Sequence, residues 1–331
     1  MQRIDPHPAF IHGAVSVERG DGWIKPWRIP HDLRGLFPPD DGLPERADRP
    51  AGVRLRVRTD SPRLGLAVAP WPDPRVFDLV LNEADIAATA VLEPNEEELL
   101  FDGLPAGEHT ADIWLHVGAP VELRALLAED GARVAPADDE RPRWIAYGSS
   151  ITQCGDAHSP ARAWPATAAR MRGLNLTCLG FGGNCHMETM VALTIRDLPA
   201  DVITLKLGIN MHGGSYSPRT FTAQVIGFVR ILRQRHTDIP IAIVSPIANR
   251  EGEHTPGATG MDLAMMREHL ADAVQRLADH GDPNLHYLDG RELFGEELCE
   301  TNLPDQVHPD GDGYEIIGRN AARKLLPMLG F

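Results

Sequence analysis

Four short segments in the second half of the chain carry residues able to do chemistry together: Gly148-Ser149-Ser150-Ile151-Thr152, Gly180-Phe181-Gly182-Gly183-Asn184, Gly208-Ile209-Asn210 and Asp305-Gln306-Val307-His308-Pro309. Ser150 supplies a hydroxyl that becomes a nucleophile once a base takes its proton. His308 is the natural base, because a neutral imidazole accepts that proton and later returns it to a leaving alcohol. Asp305 stands three residues earlier, close enough for a tight loop to set its carboxylate against the second ring nitrogen. The negative charge that develops on an attacked carbonyl oxygen needs donors already in place. Candidates are the Ser150 amide, the Gly183 amide and the Asn210 side chain. A glycine there lets the backbone approach a substrate closely, and Gly182 adjoins it. Each segment alone reads as a turn or a helix cap. The set, in this order, reads as a serine acyl-transfer site.

The elements that must position these residues follow a clear rhythm. Arg143–Tyr147, Leu174–Leu179 and Asp201–Leu207 are apolar strands, each ending at one of the first three motifs. Ala163–Met171 reads as a helix. A second helix is expected from Pro218, with Ser217 as its N-cap. Ile239–Val244 and Leu285–Leu288 read as further strands, Met261–His280 as a long helix stopped at Gly281, and Asp312–Leu326 as the closing helix. Alternating strands and helices imply a parallel sheet with crossover helices. Ligands of such sheets sit outside the carboxyl ends of the strands, where distant motifs meet.

Before residue 140 the character differs. Short strand-like runs such as Val53–Arg58, Leu64–Val68, Val76–Leu81, Glu98–Phe101, His109–Leu115 and Val121–Leu126 are separated by turn residues. They imply a β-sandwich. Residues 127–142 are polar and read as a linker, which gives an N-terminal sandwich domain over 1–137 and a catalytic domain over 138–331.

The four motifs resemble the conserved blocks of the SGNH (GDSL-type) hydrolases over about residues 143–331. The resemblance implies a three-layer α/β/α, flavodoxin-like catalytic domain and no metal or organic cofactor. It implies Ser150 as nucleophile, His308 as base with Asp305 as its partner, and an oxyanion hole of Ser150, Gly183 and Asn210. The usual Gly-Asp-Ser reads Gly148-Ser149-Ser150 here, so Ser149 replaces an aspartate that braces the turn; a hydroxyl can cap a local amide instead. A β-sandwich, jelly-roll-like, ahead of such a domain is similar to the layout of some carbohydrate esterases and of a GDSL-type acyltransferase of polyketide tailoring. Residues beside the motifs are candidates for lining the substrate pocket: Asn184 and His186 after Gly183, Met211 and His212 after Asn210, and Trp164 at the start of a helix.

Composition narrows the rest. The chain has 331 residues, 43% hydrophobic, and a net charge of −15 from 32 basic and 47 acidic residues. That balance disfavours nucleic acid and anionic membranes, whose phosphates need clustered Lys and Arg. The first twenty residues lack the basic start and apolar stretch of a signal peptide, and no apolar run suits a membrane span, so a cytoplasmic protein is expected. Four cysteines without close pairs make neither a disulfide framework nor a zinc site. Cys154 and Cys185, which flank the motifs, read as buried small apolar residues.

The expectation is a serine esterase acting through an acyl-enzyme on short acyl esters, such as acetyl groups on a sugar or other polyol. One rival is an acyltransferase that passes the same acyl group to a small-molecule acceptor. The other is a carbohydrate-binding protein with a dead site. The sandwich then serves as a structural support, a wall of the cleft, a carbohydrate-binding unit or the contact of a homo-oligomer.

Overall fold

Segments rich in Val, Leu and Phe pair as strands in the first part of the chain because a pleated backbone suits branched and aromatic side chains on one buried face. The computed structural model describes residues 1–83 and 85–331. Its first strands are β1 (Gln2–Ile4), β2 (Ile11–His12), β3 (Ser16–Gly20) and β4 (Trp23–Trp27), followed by a short helix, α1 (Leu43–Ala47). Next come β5 (Arg54–Thr59), β6 (Arg63–Val68), β7 (Arg75–Leu81), β8 (Ile86–Leu92), β9 (Glu98–Asp102), β10 (His109–Trp114), β11 (Leu123–Ala128) and β12 (Val134–Pro136). They form two antiparallel sheets, β3-β4-β11-β6-β9 with β1 beside β11, and β12-β5-β10-β7-β8 with β2 beside β5. Leu55, Val57, Leu66, Phe77 and Ile113 pack between the sheets.

One local expectation needs correction here. The polar stretch 127–142 is partly sheet: β11 runs to Ala128, and β12 pairs with β5 with Val134 packed against the sandwich core. Of the basic residues alternating along β5, Arg58 is exposed, but the other two do not face water. Arg54 and Arg56 are buried. Arg54 donates to Asp139 at 2.8 Å, to Asn175 Oδ1 at 2.8 Å and to the Leu176 carbonyl at 3.2 Å. Arg56 donates to Asp112 at 2.8 Å. The outer face of this sheet is therefore the seam against the second half of the chain, where buried guanidinium groups must find acceptors.

That second half runs β13 (Arg143–Gly148), α2 (Ser150–Gln153), α3 (Trp164–Arg172), β14 (Asn175–Gly180), α4 (Thr189–Asp197), β15 (Val202–Lys206), α5 (Ile209–His212), α6 (Phe221–Leu232), β16 (Ile241–Val244), α7 (Leu263–Asp279), β17 (Leu285–Leu288), α8 (Cys299–Asn302) and α9 (Gly311–Asn320). The strands are all parallel, in the order β14-β13-β15-β16-β17. This is the flavodoxin-like order, with its switch point beside the first strand. Both faces are covered. Ile145, Tyr147, Ile203 and Leu205 pack with α4, α6 and α7, while Trp144, Ala146, Val202 and Val244 pack with α3 and α9. Each fully buried Leu, Ile, Val or Phe contributes roughly 1.5–3 kcal/mol.

α6 begins at Phe221, three residues later than expected. The Ser217 carbonyl accepts from the Thr220 and Phe221 amides, and the Ser217 hydroxyl pairs with that of Thr220 rather than capping an amide. The closing helix continues past α9 as a wide π-type turn over Ala321–Leu325 and a last turn at Leu326–Met328. Among the described residues, no helix is long and apolar enough to cross a membrane.

Candidate active site

Register explains why the motifs converge. Gly148 pairs with Gly180 at the carboxyl ends of β13 and β14, so Ser150 and Gly183 leave the sheet side by side. α2 sits directly on β14: a Cβ at Gly180 would lie 2.2 Å from the Gln153 nitrogen. Only glycine lets the serine turn approach this closely.

Ser150 opens α2, and the turn is braced from within. The Ser149 hydroxyl, in the place of the family aspartate, accepts from the Ile151 amide at 3.3 Å. The Ser150 hydroxyl lies 2.8 Å from His308 Nε2. On the other side of the ring, His308 Nδ1 lies 2.6 Å from Asp305 Oδ2. A carboxylate only accepts, so Nδ1 carries the proton and Nε2 is left to accept from Ser150. The loop is held by its own backbone: Asp305 Oδ1 accepts from the Val307 amide at 2.9 Å and the His308 amide at 2.6 Å. Gln306 takes a left-handed turn with φ of 63°. Asn249 ties this loop to the facing one, donating to the Gln306 carbonyl at 2.7 Å and accepting from the Gly252 amide at 2.7 Å.

Slight burial pushes the Asp305 carboxyl up, but hydrogen bonds from the His308 ring and from the His308 and Val307 amides outweigh it and hold it at about 2. A depressed folded value stabilises the fold above the unfolded value of about 3.9, and that contribution is lost as pH falls toward the folded value. The side chain is more than half exposed, so solvent screening keeps the contribution small. Thermal melts of wild type and Asp305→Asn should differ by a steady amount at neutral pH. That gap should close as pH falls below 4. A gap that persists unchanged in acid would show that the carboxylate has no such role.

The Ser150 and Gly183 amides and the Asn210 side-chain amide belong to residues that line one cleft. Asn210 Oδ1 accepts from the Cys185 amide at 3.0 Å, which fixes the side chain and turns Nδ2 away from that contact. The Gly182 amide is taken by Gln153 Oε1 at 2.8 Å. Among the described residues, the Gly183 and Ser150 amides have no acceptor. Gly183 has φ of 72°, a conformation that favours glycine. Of the two adjacent glycines, Gly183 therefore has the donor to spare. Such an arrangement can take a proton from a hydroxyl and neutralise an oxyanion beside it.

These groups line a cleft of about 830 Å³ that also includes His212, whose Nε2 donates to the Thr255 carbonyl at 2.8 Å. Two expected pocket residues lie elsewhere. Trp164 is buried against Trp144, with ring centroids 5.8 Å apart. Its helix presents its first turn to the core rather than to the cleft. Asn184 folds back to donate to the Gly182 carbonyl at 2.7 Å, beside Gly42, and supports the turn without lining the cleft. Of the other neighbours, Met211 is core, and His186 is held between the Gly183 carbonyl and the Ser215 hydroxyl. Burial pushes the Cys154, Cys178 and Cys185 thiols up, which keeps these three protonated at neutral pH. Among the described residues, no group of three or more His, Cys, Asp or Glu is placed to hold a metal ion.

Three functional-looking side chains have no motif. Gln153 lies one helical turn after Ser150, and that spacing is its signal. Arg46 and Arg49 reach the cleft from the segment at and just after α1. Buried Arg28 braces that segment: Nε donates to the Arg49 carbonyl at 2.6 Å, and the other nitrogens bond the Arg46 and Gly180 carbonyls. Burial pulls the Arg28 guanidinium down to about 10, still charged at neutral pH.

The GDSL-like lipase/acylhydrolase family model matches residues 142–320, and the SsfX3 N-terminal domain model matches residues 10–116. Among solved structures, the salicylyl-acyltransferase SsfX3 from a tetracycline biosynthetic pathway is 36% identical, with a TM-score of 0.90 over 99% of this chain and 97% of that one. A GDSL-like lipase from Bacteroides ovatus is 21% identical, with a TM-score of 0.78 over 97% and 95% of the two chains. A family two carbohydrate esterase from Clostridium thermocellum, in complex with cellohexaose, is 14% identical, with a TM-score of 0.64 over 85% and 93%. The last two likenesses concern the fold alone. No curated protein sequence matches the chain.

Proposed function

The chain belongs to the GDSL-like lipase/acylhydrolase family, and from that premise we propose that it is a serine esterase that cleaves short acyl esters through a Ser150 acyl-enzyme. The observation that carries this reading is the continuous chain of contacts from Ser150 through His308 to Asp305, at 2.8 and 2.6 Å. His308 takes the Ser150 proton as Oγ attacks the ester carbonyl. Asp305 holds the ring in the tautomer that leaves Nε2 free and stabilises the imidazolium that forms. The tetrahedral oxyanion sits against the Ser150 and Gly183 amides and Asn210 Nδ2. His308 then gives its proton to the departing alcohol. In the second half, His308 takes a proton from water, which attacks the acyl-enzyme, and returns that proton to Ser150 Oγ as the bond to the acyl group breaks and the acid leaves.

A specific observation favours a second reading. The 36% identity to an acyltransferase over nearly the whole chain supports delivery of the acyl group to an alcohol or amine. The acyl-enzyme is common to both routes, so they diverge only at its breakdown. A cleft of about 830 Å³ has room for an acyl group together with a sizeable alcohol or acceptor.

Product partition tests the proposal. Purified protein is given a short acyl 4-nitrophenyl ester, with and without a panel of alcohols and amines. For an esterase, free acid should account for the nitrophenol released under every condition. Acyl transfer to one acceptor at the expense of the acid would replace hydrolysis with the second reading.

A further inference from the structure

Arg46 and Arg49 are the unexplained feature of the cleft. They come from the N-terminal half of the chain yet line the same space as Ser150, Gly183 and His308. Their side chains are 31% and 25% exposed, so each is half-sunk with one edge open to the cleft. Each spends a single N–H on the same Glu45 oxygen, at 3.1 and 2.9 Å. Among the described residues neither guanidinium has another acceptor. Each has five donors, so most remain uncommitted, and the trio Glu45, Arg46 and Arg49 keeps a net positive charge. This happens on a chain with 32 basic against 47 acidic residues.

The position is built. Arg28 grips the Arg46 and Arg49 carbonyls and, with the same guanidinium, the Gly180 carbonyl at the end of β14. The two arginines are thus registered to the glycine turn that ends at Gly183. The acidic cleft residues belong to other walls: Asp156 also borders the small depression of Asp305 and His308, and Glu251 lies on the loop anchored by Asn249. One wall is cationic and the others are not.

From this we infer that Arg46 and Arg49 form an anion-recognition wall, and that the substrate is an ester bearing a carboxylate group. This deepens the acyl-transfer reading and rests on it. A guanidinium pair with free parallel N–H groups suits planar carboxylates and phosphates, which it can bind with two bonds per arginine. The charged group of the substrate then fixes how the ester carbonyl meets Ser150, so its binding contributes to orientation as well as to affinity.

The test compares wild type with an Arg46→Gln, Arg49→Gln double variant on matched ester pairs. One pair places the charge in the acyl part: 4-nitrophenyl glutarate against 4-nitrophenyl valerate. The other places it in the alcohol: 4-acetoxybenzoate against 4-acetoxybenzamide. Intrinsic reactivity cancels when each charged-to-neutral ratio of kcat/KM is compared between proteins. In at least one pair the ratio should fall roughly tenfold or more in the double variant, mainly through KM. In wild type, kcat/KM for that charged ester should fall as NaCl is raised, with little change for its neutral partner. Ratios unchanged in both pairs would overturn the inference. If no ester is turned over by wild type and a fluorophosphonate fails to label Ser150, the esterase reading fails by itself. Equilibrium titration of both proteins with the same pairs then reads the wall directly, and equal affinity of the two proteins for the charged members would overturn it.

Discussion

Replacing Ser150 with alanine is expected to lower kcat for a short-chain chromogenic ester by on the order of 10⁴-fold or more, with little change in KM. The mutation removes one oxygen from a half-buried turn. Its fold consequences are small, because the turn is braced by Ser149, by the Gly180 contact and by Gln153, none of which uses the Ser150 hydroxyl. Under the proposed mechanism the chemical consequence is complete loss of the acyl-enzyme. What remains is the slow attack of water on an ester held near Gly183 and Asn210. His308→Ala should cost about as much, because an unactivated hydroxyl is a poor nucleophile. The double variant should be no worse than either single one, since the two residues perform one step. Measurements of kcat for the three variants check this directly. A Ser150→Ala protein that keeps more than a tenth of wild-type turnover would remove Ser150 as nucleophile, and additive losses would mean that His308 acts on some other group.

The reason these residues could be found in the sequence is geometric. A parallel sheet with helices on both faces forces its chemistry onto strand ends, and the strand ends are marked by glycines: Gly148 and Gly180 are opposite each other in register. A residue that acts there is therefore adjacent to punctuation. The loop from Asp305 to His308 is equally local, because the carboxylate, the ring and both braced amides lie within four residues. Arg46 and Arg49 carry no such mark. They lie before β5, and their approach to the cleft depends on Arg28 reaching the end of β14, a contact between residues 152 positions apart. No spacing rule reveals that.

Other elements escape for energetic reasons. α4 is rich in Thr, Val and Ile, which weaken a helix in isolation. Burial of Val191, Ala192 and Ile195 against the sheet supplies what propensity does not. β8 is small through its middle, from Ala87 to Ala90, and its residues alternate between half-buried and exposed as far as Val91, so its apolar signal is faint. Trp164 misleads in the opposite sense. A large aromatic residue near a motif suggests a pocket wall, but the same size makes it a core residue between α3 and the sheet.

Asn210 offers the sharpest separation of chemistry from fold. Its two side-chain atoms have different duties under the proposed mechanism: Oδ1 holds the Cys185 amide at 3.0 Å, and Nδ2 is the donor to the oxyanion. Asn210→Ala removes both. It should lower kcat by about 10²–10³-fold, the usual loss for one oxyanion donor. It should also lower the thermal midpoint, because the buried side of the Cys185 amide loses its acceptor. Asn210→Asp keeps an acceptor for Cys185 and replaces the donor with a carboxylate oxygen. Its thermal midpoint should lie nearer to wild type than that of the alanine variant. Its kcat should fall at least as far, because a carboxylate would oppose the developing negative charge. In both variants KM should move little, since the donor is needed where charge develops rather than in the bound ester. Steady-state kinetics and melts on the same preparations separate the two duties. An Asn210→Asp protein with wild-type kcat would leave Asn210 a structural residue and the oxyanion to the Ser150 and Gly183 amides alone.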